Sequence, residues 1–110
     1  MAIIERFFSP GSVITACSSA ATTAPRFPFG RWAGGGVLIT DTNSATQINW
    51  YASSGNETVP VQVYGADGSA VTSAVTVGGI PIPDACFGYP YVAPIITGAA
   101  SCQMTVCVKG

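Results

Sequence analysis

Short runs of strand-forming residues, separated by turn residues, dominate the sequence after Gly36 and limit the folds open to it most. In "ATQINWYA" Ile48 and Trp50 share one face, whereas the polar residues Gln47 and Asn49 and the ring of Tyr51 share the other. The last run places four residues on one face: Cys102, Met104, Val106 and Val108. About seven to eight such strands predict an all-β fold, specifically an antiparallel β-sandwich of the jelly-roll or immunoglobulin-like kind.

Two of these runs carry further predictions. "VLIT" (37–40) has apolar residues on both faces, which is typical of a fully buried strand. "TVPVQVYG" places Val59, Val61 and Val63 on one face, and Pro60 indicates an edge strand or a bulge because proline cannot donate to a sheet ladder. The Asp-Gly pair in the following "GADG" predicts a hairpin turn.

The first third of the chain has a different composition. "GSVITA" is compatible with a first strand, but residues 17–36 are rich in Ser, Thr, Ala, Pro and Gly. Pro25 and Pro28 disfavour a helix there and favour an extended path. We therefore expect an extended N-terminal arm or loop over residues 1–33 and a β-sandwich domain over residues 34–110.

Charged residues are scarce, at 8% of 110 residues, and the formal net charge is -1. No basic patch is available for phosphates, so no nucleic-acid partner is expected. The longest apolar stretch, residues 78–100, contains four prolines and one aspartate, which exclude a membrane-spanning helix. Two explanations of the low charge remain: coverage of the surface by other proteins, or a small fold with a Ser/Thr/Gly surface.

Residues suited to catalysis are missing from the sequence. There is no histidine, and Lys109 is one residue from the end of the chain. The acids lie mostly at turns, as Asp41 and Asp67 do, where a carboxylate commonly accepts a hydrogen bond from its own backbone. Asp41 and Asn43 could contact calcium, but the EF-hand pattern is absent. We expect no enzyme activity, no catalytic residues, no metal site and no cofactor.

The four cysteines allow three complete pairings, among which the sequence cannot choose. Without an export signal we expect reduced thiols, buried as small apolar groups. Cys102 and Cys107 are five residues apart, which places them on opposite faces of a strand, so they should not form a disulfide with each other. The cysteines are Cys17, Cys86, Cys102 and Cys107.

Aromatic residues and arginine, which are enriched at the centres of protein interfaces, concentrate in the expected arm. The candidate protein-interface residues are Phe7, Phe8, Phe27, Phe29, Arg31 and Trp32. The alternative is that the arm folds over its own sheet and fills its own core. Tyr51 and Tyr64 fall on polar strand faces and are candidate surface aromatics that could stack on sugars or anchor a protein contact.

Three stretches, "GGVLITDTNSATQINWYAS", "PVQVYGADGSAVT" and "IPIPDACFGYPYVAPI", resemble small β-sandwich proteins from the structural gene regions of tailed bacteriophages. The shared features are a Trp-Tyr pair, a Tyr-x-x-Asp-Gly hairpin and a Pro-Asp-x-x-Phe-Gly corner, within about residues 34–98. The resemblance implies a capsid cement (decoration) protein or another minor virion component, without cofactor or catalytic residues. The cysteines are not part of this pattern.

Together these features predict a non-enzymatic virion structural protein that binds and stabilises a phage capsid shell. Its expected partners are the major capsid protein or other virion subunits, and it is expected to form a homo-oligomer, with a trimer as one arrangement. The alternative is a receptor- or carbohydrate-binding module on a virion or cell surface. Its stacking residues would be Tyr51, Tyr64, Tyr89 or Tyr91.

Overall fold

The computed structural model describes residues 11–30 and 34–109 and has the predicted all-β class. Nine strands and one short 3-10 helix, at Asp84–Cys86, account for its regular structure in these ranges. The strands are β1 (Ser12–Cys17), β2 (Phe27–Pro28), β3 (Gly34–Ile39), β4 (Gln47–Ser53), β5 (Val61–Gln62), β6 (Thr72–Ala74), β7 (Gly78–Pro81), β8 (Tyr91–Thr97) and β9 (Ser101–Lys109).

All nine strands belong to one mixed sheet, curled into a half-barrel, with the order β5-β4-β8-β1-β9-β3-β7. β2 also pairs with β8, and β6 with β4. The predicted antiparallel sandwich therefore differs from the observed architecture. The reason is the position of β1: β8 and β9 run in opposite directions, so a strand inserted between them must be parallel to one. β1 is antiparallel to β9 and parallel to β8, through Cys17 opposite Ile95.

The concave side of the sheet holds the main core, and the period-two pattern predicted its faces correctly in β4 and β9. Ile48 and Trp50 are buried in β4, while Cys102, Met104, Val106 and Val108 are the buried residues of β9. The buried indole of Trp50 donates from Nε1 to Ser73 Oγ at 2.9 Å, so the polar atom of this large side chain is satisfied.

Two strand predictions were wrong. Leu38 in β3 is 51% exposed, so this strand is buried on one face only. Val59 and Val61 are exposed whereas Val63 is buried, so the three valines do not share one face as predicted. The reason is that Gln62 turns inward, where its Nε2 donates to the carbonyls of Trp50, Val63 and Val71. The prediction of an edge strand near Pro60 is confirmed, since β5 ends the sheet.

Within residues 11–30, which the sequence assigned to an extended arm, the chain contributes two strands to the sheet. β1 lies between β8 and β9, and β2 pairs with β8. Residues 18–26, here called the strap, bring Ala24 onto the convex side of β8, where it packs with Ala93 and Ile95 in a second small core. β8 has apolar residues on both faces, so its convex side needs this cover.

Candidate interaction surfaces

Two of the acids that the sequence assigns to turns, Asp41 and Asp67, form turn hydrogen bonds. The Asn43 N–H donates to Asp41 Oδ1 at 2.9 Å, and the Ser69 N–H donates to Asp67 Oδ1 at 3.0 Å. The backbone N–H and hydroxyl of Ser69 hold the pKa of Asp67 below its usual value. Both carboxylates therefore stabilise local backbone. Among residues 11–30 and 34–109, no three His, Cys, Asp or Glu side chains cluster as a metal site would require.

The four thiols are unpaired and occupy two environments. Cys86 and Cys102 are buried, and burial raises the pKa of Cys86 to about 12. Burial, followed by the nearby Asp41 carboxylate, also raises the pKa of Cys102. Cys107 lies half-buried on the opposite face of β9 from Cys102, as its odd spacing predicted.

The predicted interface residues separate into two groups. Phe7, Phe8, Arg31 and Trp32 lie outside the described residues. Phe27 and Phe29 lie in the chain's own core, where their rings meet edge to face with centroids 6.0 Å apart. Phe29 also packs against Phe87, with the two ring centroids 5.5 Å apart. For these two rings, the structure matches the alternative in which the segment fills its own core.

The candidate surface tyrosines also differ from one another. Tyr51 is half-buried and packs against the small core beneath the strap, so its ring is partly covered. Tyr64 is 61% exposed beside the hairpin turn. Tyr89 is exposed as well, whereas Tyr91 is half-buried at the start of β8. Tyr64 and Tyr89 are the tyrosines with rings most open to a ligand.

One broad surface of the sheet is poor in charged residues. It is the convex side of β1, β9, β3 and β7, here called the outer face. Lys109, the last residue of β9, is the one charged residue in the sequence of these four strands. Strand register aligns a row across it: Val13, Thr105, Leu38 and Gly79. Val13 and Leu38 are both more than half exposed. Depletion of charge distinguishes the centres of protein interfaces from ordinary surface.

A second surface feature is an open groove with a volume of about 330 Å³. Its walls come from the end of β4, the turn after it, β5, and the residues before β8. Val59, Val61 and Tyr89 are its exposed apolar members. The full lining is Ala52, Ser53, Ser54, Thr58, Val59, Val61, Gln62, Val63, Tyr89 and Pro90. Most of these groups are apolar, so the groove suits an uncharged apolar occupant.

Arg26 supports one wall of this groove from the strap. Its Nη1 donates to Ser53 Oγ at 3.0 Å, to the Gly55 carbonyl at 3.1 Å and to the Thr58 carbonyl. Within the strap, its guanidinium also donates to the carbonyls of Ala24, Ala21 and Thr22. The sequence analysis predicts no role for this residue. No sequence signal could have shown its role, since most of its acceptors are backbone carbonyls.

Comparisons with known proteins establish the fold. No family model matches the chain, and no curated protein matches it. Among solved structures, the SPBc2 prophage-derived protein YomS is similar over 100% of this chain and 99% of its own, with a TM-score of 0.60 and 17% identity. The two proteins share one fold along their whole length. In the described ranges, no helix is long and apolar enough to cross a membrane.

Proposed function

We propose that this protein is a non-enzymatic structural component of a phage virion that binds the capsid shell and stabilises it as a decoration protein. The likeness in fold to a prophage-derived protein supports a phage origin. The observation that carries the proposal is the scarcity of charge on the outer face of β1, β9, β3 and β7, whose strands contain one charged residue. Such a face can be buried against another protein with little cost from the desolvation of charges.

The chemistry of the outer face suits attachment in many copies. Val13 and Leu38 flank Thr105, so apolar side chains and a hydroxyl lie side by side on a rigid sheet. Burial of exposed apolar surface contributes roughly 25 cal/mol per Å². On a capsid the same contact repeats, and linked copies bind far more tightly than one copy does. Phe7, Phe8, Arg31 and Trp32 add contacts to neighbouring subunits in this proposal.

The test is co-sedimentation of the purified protein with phage capsids that lack it, followed by thermal disruption of the shells. Leu38→Asp places a charge on the outer face, and Thr72→Asp places the same charge at an exposed site on β6, away from that face. We expect the wild type and Thr72→Asp to bind and to raise the disruption temperature. Leu38→Asp should bind at least about tenfold more weakly, because its carboxylate would be desolvated in the contact. Equal binding by both variants, or no binding by the wild type, would overturn the proposal.

A second candidate function is recognition of a receptor or a carbohydrate by exposed tyrosines. The observation that favours it is the exposure of Tyr64 and of Tyr89, which lines the groove, because tyrosine rings stack readily on sugars. A glycan array distinguishes this function from capsid binding. Specific hits that Tyr89→Ala abolishes would support it, and an array without hits would remove it.

A further inference from the structure

The strap, residues 18–26, lies over the sheet but has few bonds to it. Apart from the strand ladders, its backbone makes one hydrogen bond within the described ranges, from the Ala24 N–H to the Ala21 carbonyl at 3.0 Å, and that bond lies inside the strap. Ala24 is also its only buried residue. Segments with few buried apolar contacts and few bonds to their surroundings open at a low free-energy cost while the rest of the fold stays intact.

The side chain of Arg26 is the main tether of the strap. It donates to Ser53 Oγ at the end of β4 and to the carbonyls of Gly55 and Thr58 in the turn that follows. All of its acceptors are neutral carbonyls and one hydroxyl, so no ion pair with a carboxylate adds to the attachment. The closed position of the strap therefore depends on one side chain and one small apolar contact.

The surface beneath the strap continues the outer face. Val13 and Cys17 lie on the same side of β1, because an even number of residues separates them, and Cys17 is opposite Ile95 of β8. Ile95 and Ala93 lie beneath the strap, with Tyr51 of β4 opposite Ala93. The sequences of β4 and β8 contain no charged residue. With the strap raised, the convex side would be poor in charge from β7 as far as β4.

We propose that the strap is a movable cover: it opens while the sheet stays folded, and when closed it competes with the capsid partner for the convex side of β8. A partner that contacts the outer face and β8 together binds only the open state. The closed strap then reduces its apparent affinity in proportion to the fraction of molecules that are open. The competition rests on the proposed capsid function, whereas the opening does not and is measured without capsids.

Thiol labelling, read at each cysteine by mass spectrometry, measures the opening. Ala93 is 1% exposed beneath the strap, so Ala93→Cys places a thiol that a reagent reaches when the strap lifts. Cys86 lies fully buried in the main core, on the other side of the sheet, and its labelling reports unfolding of the sheet. We expect the introduced thiol to react at least about tenfold faster than Cys86, because a local opening costs less than global unfolding.

Two further changes, each added to Ala93→Cys, separate strap opening from a general loss of stability. Arg26→Met removes the tether and should accelerate labelling of the introduced thiol at least about tenfold. Gln62→Met is the matched control, because the Gln62 amide also donates three partly buried hydrogen bonds, all to backbone carbonyls outside the strap. These bonds persist when the strap is open, so Gln62→Met should accelerate labelling of Cys86 and leave that of the introduced thiol unchanged.

Two labelling results would overturn the opening. One is an introduced thiol that reacts no faster than Cys86. The other is equal acceleration of the introduced thiol by Arg26→Met and Gln62→Met, since the thiol would then be reached only when the sheet unfolds. Circular dichroism verifies that each variant is folded. If Ala93→Cys does not fold, the native Cys17, which packs against the same small core, is the probe, with the same expected response to the two changes.

Co-sedimentation with capsids tests the competition. Arg26→Met in the otherwise wild-type chain should bind at least about tenfold more tightly than the wild type, because more of its molecules are open, and Gln62→Met should bind like the wild type. Binding by Arg26→Met that is equal to or weaker than that of the wild type would overturn the competition. If none of the three proteins binds, the capsid function fails, while the labelling rates still decide whether the strap opens.

Discussion

Replacement of Arg26 by methionine tests whether the strap is held to the sheet by a single side chain. The change removes every guanidinium hydrogen bond and keeps much of the apolar stem. The guanidinium donates six such bonds, and three of them are partly buried: those to the Ala24 carbonyl, Ser53 Oγ and the Gly55 carbonyl. The other three acceptors are exposed, so water can replace the guanidinium there.

The expected loss of stability follows from the partly buried bonds. Each contributes about 1 kcal/mol net, so the three together contribute about 3 kcal/mol to the free energy of unfolding. This is a large share of the roughly 5–15 kcal/mol that stabilises a domain of ordinary size. Arg26→Lys should lose less stability, because the lysine ammonium keeps the charge and three donors. It should still lose some, because the ammonium cannot reproduce the planar guanidinium that reaches both the strap and the turn at residues 53–58.

Urea unfolding followed by tryptophan fluorescence measures these losses. Amide hydrogen exchange adds a local readout: it should accelerate in residues 18–26 and 53–58 of Arg26→Met before it changes in β9. A methionine variant within about 0.5 kcal/mol of the wild type, or with unchanged exchange in both segments, would refute the role assigned to Arg26.

Three further substitutions or conditions probe the core and one turn. Burial raises the pKa of Cys86 from 9.0 to about 12, so the protonated thiol makes its full contribution to the free energy of unfolding below pH 9. This contribution is lost as the pH rises toward 12. Urea unfolding across this window should show the decline in stability, and Cys86→Val should remove the part of the decline that comes from this thiol. Gly98→Ala should cost about 1–3 kcal/mol in thermal unfolding, because φ is +97° and an added Cβ would lie 2.8 Å from the Ser44 carbonyl oxygen. Trp50→Phe should cost about 1–3 kcal/mol in urea unfolding, from lost packing and the lost bond to Ser73; an unchanged midpoint would contradict that placement.

The parts of the fold that were predictable are those determined by neighbours in sequence. In β4 and β9 the main core buries one face and leaves the other only partly covered, so strict alternation reveals both faces. The Asp67–Gly68 turn was also predictable, because its geometry needs a residue with positive φ, and Gly68 adopts +84°. In such segments local chemistry and tertiary structure favour the same conformation.

The parts that were missed depend on residues far apart in the chain. β1 pairs with β9, about ninety residues later, and no local pattern in "GSVITA" indicates that partner. The apolar residues of "VLIT" could not show that Leu38 faces outward, because periodicity does not distinguish a buried face from an uncharged exposed one. The groove was also missed, because its walls come from segments around Ser53, Val61 and Tyr89 that are far apart in the chain and meet only in the folded sheet.

The most direct test of the central claim is quantitative mass spectrometry of density-gradient-purified phage particles from the host in which this chain is produced. The account predicts that the chain co-purifies with capsids at a fixed copy number relative to the major capsid protein, and that Leu38→Asp shifts it to the soluble fraction. Particles that contain none of it, while the wild-type protein remains free in the lysate, would contradict the claim.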